Sequence, residues 1–230
     1  MKKKIARISM VVMALFMALG VSAQKLESFG SSIEKQVGPK TIKVPYTDVI
    51  SYLGYASPGT EDDVKDNKKF YYIYIWVPAV APELGVRMMS PVPAKYKNKK
   101  ATQSTGYKAN ISSADFFDTY ITLERSNIVS KGGITADGVE SAKWTVLESN
   151  DDSSEMPKNP SGSSYNSLLR YKSKIGDPTK ALTIGLYRVG FTTYKVGEVK
   201  GTFLAEVAAP IKLPGVAMGK TLEELLAQMK

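Results

Sequence analysis

The chain has 230 residues, with 31 Lys and Arg against 22 Asp and Glu and neither His nor Cys. Those two zeros exclude a Ser-His-Asp triad, an imidazole base, a thiol nucleophile, disulfides and the N and S ligands on which zinc, copper and iron sites rely. Oxygen ligands remain, and they suit hard ions such as calcium and magnesium.

Lys2, Lys3, Lys4 and Arg7 precede an apolar run from Ile8 to Leu19, and Val21-Ser22-Ala23 follows with small residues. This pattern predicts a secretory signal peptide cleaved after Ala23, the alternative being an uncleaved N-terminal anchor. Four of the nine net positive charges sit in that segment, so only five belong to Gln24–Lys230, and nucleic acid is not an expected partner. The expectation is an exported single domain over 24–230 with no transmembrane segment: periplasmic, outer-membrane-associated or secreted.

Residues 24–40 are polar and read as a loose lead-in. Val49–Leu53 is a short apolar strand candidate. Phe70–Val77 is the clearest strand, with Phe70, Tyr72, Tyr74 and Trp76 on one face and Tyr71, Ile73, Ile75 and Val77 on the other. Two apolar faces predict a central strand covered on both sides, or one aromatic face that binds something. Between these strands, Glu61, Asp62, Asp63 and Asp66 form an acidic knot in what reads as a solvated loop. Pro78, Pro82 and Gly85 forbid a long helix beyond Val77. Val86–Met89 is a further strand, and the Lys-rich stretch 95–110 reads as a solvated loop or an anion-binding patch.

Phe116–Arg125 alternates as a strand, and Ala142–Leu147 carries Trp144. Residues 149–164 contain one hydrophobic side chain, Met156, and predict a long surface loop. Tyr165–Tyr171 resumes strand character. Leu182–Tyr194 and Val199–Val207 flank Lys195-Val196-Gly197-Glu198, which reads as a hairpin turn. At the end, Thr221 with Glu224 makes a capping box, and Leu222, Leu225, Leu226 and Met229 give the following helix one apolar stripe. Many strands and one terminal helix predict an all-β sandwich or barrel.

No nucleophile elbow, Ser-x-x-Lys motif or glycine-rich phosphate loop occurs, and the pairs Asp62/Asp63 and Asp151/Asp152 lie in polar loops, so no enzyme activity is expected. Glu148–Glu155 clusters oxygen donors without the spacing of an EF-hand. On its residues alone it is either a calcium loop or a solvated acidic one.

Phe70–Val77 followed by Pro78-Ala79-Val80 and Gly85-Val86-Arg87-Met88-Met89-Ser90-Pro91 resembles the major surface lipoprotein (haemolysis-associated protein) family of Leptospira. Gly185-Leu186-Tyr187-Arg188, Phe191–Lys195, Gly197–Gly201, Phe117-Asp118-Thr119 with Glu124-Arg125, and Tyr165–Leu168 are similar to it in the same order, from about Tyr46 to Val207. The resemblance implies a jelly-roll β-sandwich with peripheral helices and a Ca2+ site. It also implies an adhesin that binds extracellular-matrix proteins or other surface polymers, and it leaves a homodimer open. Carried onto matching positions, the metal ligands would be Asp118, Thr119, Asp151, Asp152 and the Tyr165 carbonyl. The family's lipid-acceptor Cys has no counterpart here, the acidic run is shorter and the C-terminal tail is shorter. A calcium-dependent carbohydrate- or polyanion-binding module, using tyrosines and the 95–108 lysines, is the other function class.

Overall fold

The computed structural model describes residues 30–229; the expected signal peptide and the expected start at Gln24 lie outside them. An exposed hairpin of β1 (Glu34–Val37) and β2 (Lys40–Lys43) opens the described chain. It is less loose than its composition suggests, because Ser31 is buried and the Ser32 N–H donates to both oxygens of Glu83 at 3.0 and 3.1 Å.

Then follow β3 (Asp48–Ala56), β4 (Asp63–Lys65), β5 (Lys68–Val77), β6 (Glu83–Met89), β7 (Thr102–Gln103), α1 (Thr105–Ala109) and β8 (Tyr120–Ser126). After β8 come α2 (Ala136–Glu140), β9 (Trp144–Asn150), β10 (Ser167–Lys172), β11 (Gly185–Thr192), β12 (Gly201–Ala209), β13 (Ala217–Gly219) and α3 (Leu222–Gln228). One sheet has the order β10-β6-β12-β3-β7 and the other β13-β5-β11-β8-β9. Numbering only the eight long strands 1 to 8 along the chain, the sheets read 6-3-8-1 and 2-7-4-5. Every connection except that from β8 to β9 changes sheet, which is the jelly-roll winding.

That winding corrects the hairpin expected at 195–198. β11 lies between β5 and β8, while β12 lies between β3 and β6 in the opposite sheet. Both strands are buried along their whole length, so each needs two strand neighbours of its own. A glycine-bearing turn suits an arch between sheets as well as a hairpin. The arch ends at Gly201, whose φ of +140° and close approach to the Asp115 carbonyl, 2.4 Å from where a Cβ would stand, require glycine.

The sheets meet through a cluster of aromatic rings, and the pair that crosses between them is tilted by 51°. Phe191 of β11 contacts Tyr71 at 5.4 Å, Phe117 at 6.0 Å and Phe203 of β12 at 4.8 Å between centroids. β5 is covered on both sides, as its sequence requires: Tyr71, Ile73, Ile75 and Val77 face the inter-sheet core, and Trp76 packs with Leu186, Leu225 and Met229. Fully burying one such side chain contributes about 1.5–3 kcal/mol. In α3 the Thr221 hydroxyl accepts from the Glu224 N–H at 3.1 Å, while the Glu224 carboxylate accepts from the Lys220 N–H and the Tyr52 hydroxyl. Leu225 is buried, but Leu226 faces outward, narrowing the expected stripe.

Three other expectations change. The acidic knot is structural: Asp62 accepts from the Tyr72 N–H at 2.7 Å and pairs with Lys220, and Asp63 accepts from the Tyr72 hydroxyl at 2.9 Å. A two-residue turn, Asp66-Asn67 at φ 50° and 60°, folds β4 onto β5. Residues 116–119 lie outside the strand, which begins at Tyr120. In the Lys-rich stretch the lysines are solvated, but Tyr107 is buried and the Tyr96 hydroxyl reaches Glu206 at 2.6 Å. Among the described residues, no helix is long and apolar enough to cross a membrane.

Candidate functional site

One end of the sandwich gathers the start of β8, the end of β9 and the entry to β10. Register places Ile121 opposite Asn150, so Asp118 and Thr119 lie beside the residues that leave β9. Thr119, fully buried, anchors this junction. Its N–H and its hydroxyl both donate to the Tyr165 carbonyl, at 3.0 and 3.1 Å. The Ser167 hydroxyl, 2.8 Å from that of Thr119, contacts the Thr119 carbonyl at 2.6 Å and also meets the Asp151 carbonyl. Thr119 and Tyr165 are thus brought together, but through a carbonyl whose two lone pairs are already engaged. The Tyr165 ring itself is exposed.

Asp118, Asp151 and Asp152 lie near enough for their negative charges to repel one another. Burial pushes the Asp118 carboxyl up to about 6, helped by Asp152 and then Asp151, with Lys195 opposing. Burial and Asp151 raise Asp152 as well. Asp118 Oδ1 is buried without a hydrogen-bond partner, and so is Oδ1 of Asn150. Two unmet acceptors beside like charges form an arrangement that a cation relieves. With no His or Cys in the chain, the donors are all oxygen, which fits calcium and not zinc or copper. Among the described residues, no three carboxylates converge as a ready-made cage. Asn150 belongs to the Glu148–Glu155 run of oxygen donors but is not among the ligands that the resemblance implies; its place opposite Ile121 at the strand end singles it out.

The loop after Asn150 is held by more than charge. Met156 is buried against Leu53, Met89 and Leu168. Glu155 makes two hydrogen bonds with Arg170, at 2.7 and 2.9 Å. Asn166 donates to the Pro157 carbonyl at 2.7 Å and accepts from the Ser90 N–H at 3.0 Å. A polar composition concealed these anchors, because one apolar residue in sixteen carries the packing.

The family model Lipl32, described as the surface lipoprotein of the Spirochaetales order, matches residues 40–218. No curated protein matches the chain.

Proposed function

The chain belongs to the Lipl32 family of surface lipoproteins of the Spirochaetales order, and from that membership we propose a calcium-stabilised, surface-exposed binding protein of the adhesin type. Export to the cell surface follows from the family. We read the chain as a binding protein and not an enzyme, with extracellular-matrix-like proteins as partners. The observation that supports the metal is Asp118, whose buried Oδ1 has no partner and whose charge faces Asp152 and Asp151.

Asp118, Asp151 and Asp152 would hold Ca2+, with the Asn150 side-chain oxygen beside them. Thr119, Ser167 and the Tyr165 carbonyl brace the junction from behind. Three carboxylates outweigh the ion's two charges, and carbonyls and water complete ~6–8 oxygens. The ion would fix the 151–166 loop against β8. The test is a panel of immobilised matrix proteins and glycans probed with the purified protein in calcium and in chelator. Calcium-dependent retention on protein surfaces supports the reading, and retention only on polyanions, lost steeply with salt, replaces it with the carbohydrate-type module.

A further inference from the structure

A cleft of about 700 Å3, within the range of ligand sites, opens beside the acidic loop. Its floor is the end of β6 and the turn after it, including Pro91 and Val92. Its walls are Lys95, Ile111, and Lys158 with Asn159. None of its lining residues is acidic and none is aromatic. Neither lysine has an ion-pair partner among the described residues.

Asn159 supplies an independent observation. It is 6% exposed, and its Oδ1 accepts from the Ser161 N–H at 3.1 Å, the Ser161 hydroxyl at 2.6 Å and the Ser163 N–H at 3.3 Å. Those bonds fix which way the amide points, and they leave its Nδ2 buried without an acceptor. Buried donors are normally satisfied, so this one calls for an acceptor from outside the chain.

We propose that this cleft binds an extended segment of a protein partner in which apolar side chains alternate with carboxylates. Aliphatic and proline side chains cover the apolar groups, Lys95 and Lys158 take the negative charge, and Asn159 Nδ2 donates to a carboxylate or carbonyl of the segment. The absence of any ring in the lining leaves a sugar face without a stacking platform. The site rests on the adhesin reading and names its partner chemistry. It also couples to the metal, because Asp151 and Asp152 begin the loop whose Pro157–Pro160 portion forms a wall. Asn166 ties that wall to the floor through Pro157 and Ser90.

The probe is a fluorescent, end-blocked hexapeptide of alternating leucine and aspartate, with its leucine–asparagine counterpart and a heparin oligosaccharide beside it. Anisotropy should show the aspartate peptide binding about tenfold tighter than the asparagine one, with an affinity that falls with salt. Lys95→Gln with Lys158→Gln should cost about tenfold and flatten the salt dependence. Asn159→Asp keeps the Oδ1 acceptor for Ser161 and Ser163 but replaces the donor with a negative oxygen; it should cost at least as much. Both variants should keep the wild-type response of melting to calcium. No peptide binding, equal binding of the two peptides, unchanged affinity in the variants, or heparin alone in the cleft overturns the proposal. Peptide binding that ignores chelator while melting responds to it refutes the coupling. A cleft that passes these tests in a protein whose melting ignores calcium refutes the metal reading instead.

Discussion

Arg188 and Glu124 face each other across β11 and β8, and Nε and Nη2 of the arginine both donate to one glutamate oxygen, at 2.9 and 2.7 Å. The guanidinium is also stacked between two rings, 3.6 Å from the centre of Tyr72 and 4.0 Å from that of Trp144. Both charged side chains are almost wholly buried. Removing one partner leaves an almost wholly buried charge without its counter-charge, so Glu124→Ala should cost about 3–5 kcal/mol in urea unfolding. The double change Glu124→Leu with Arg188→Met should recover most of that loss, because the cost lies in the stranded charge. A double variant no more stable than Glu124→Ala would show that the rings, and not the pair, hold this strand.

Met156 is the apolar anchor of the 151–166 loop. Met156→Ala should cost about 2–5 kcal/mol and make the loop the first site of limited proteolysis. Replacing Asp151 and Asp152 with Asn should leave the loop protected in chelator, since packing and the Arg170–Glu155 pair still hold it.

Much of this was legible in the chain. Alternation located β5 and β8, short apolar runs located β3, β6 and β9–β12, and the capping box located α3. The blocks that carried the family resemblance are structural: Arg188 and Glu124 are one buried pair, and Arg87 of the Gly-Val-Arg block pairs with Glu206 at 2.6 Å. What escaped was long-range. Sheet membership of β11 and β12 depends on which strands lie beside them, and no local turn signal contains that. The acidic knot looked solvated because its partners, Tyr72 and Lys220, are distant in sequence or on the neighbouring strand. Asn159 looked like one more polar loop residue until its three accepted bonds fixed the amide.

Asp118 makes a pH prediction with a definite sign. Its folded-state pKa is raised from 3.8 to about 6, so the folded protein holds a proton that the unfolded chain releases between those values. In chelator, this group's contribution therefore makes stability fall as pH rises from about 4 to about 6. In chelator, Asp118→Asn removes that part of the slope and should raise melting temperature at neutral pH relative to wild type. Calcium and the proton compete for the same carboxylate, so calcium affinity should weaken below about pH 6. Melting curves of both proteins across this range, in chelator and in calcium, measure all three effects. Parallel pH profiles for wild type and Asp118→Asn would remove Asp118 from the account.

The decisive measurement concerns calcium itself. An ion that binds only the folded state adds RT ln(1 + [L]/Kd), about 2.7 kcal/mol at a hundredfold excess over Kd. For a chain of this size that corresponds to a rise of about 5–10 °C in melting temperature. Asp118→Asn, or Asp151→Asn with Asp152→Asn, should abolish the rise without unfolding the sandwich, because none of these carboxylates lies in the inter-sheet core. Asp62→Asn is the matched control. It loses acceptor strength toward the Tyr72 N–H and the Lys220 ammonium, so it should lower both curves by a similar amount and leave the calcium-induced rise intact. Thr119→Val also separates bracing from ligation: loss of its hydroxyl contact to the Tyr165 carbonyl should lower stability in chelator as well as in calcium. Superimposed wild-type curves at millimolar calcium and in chelator would refute the site, since nothing else in the proposal makes melting depend on the ion.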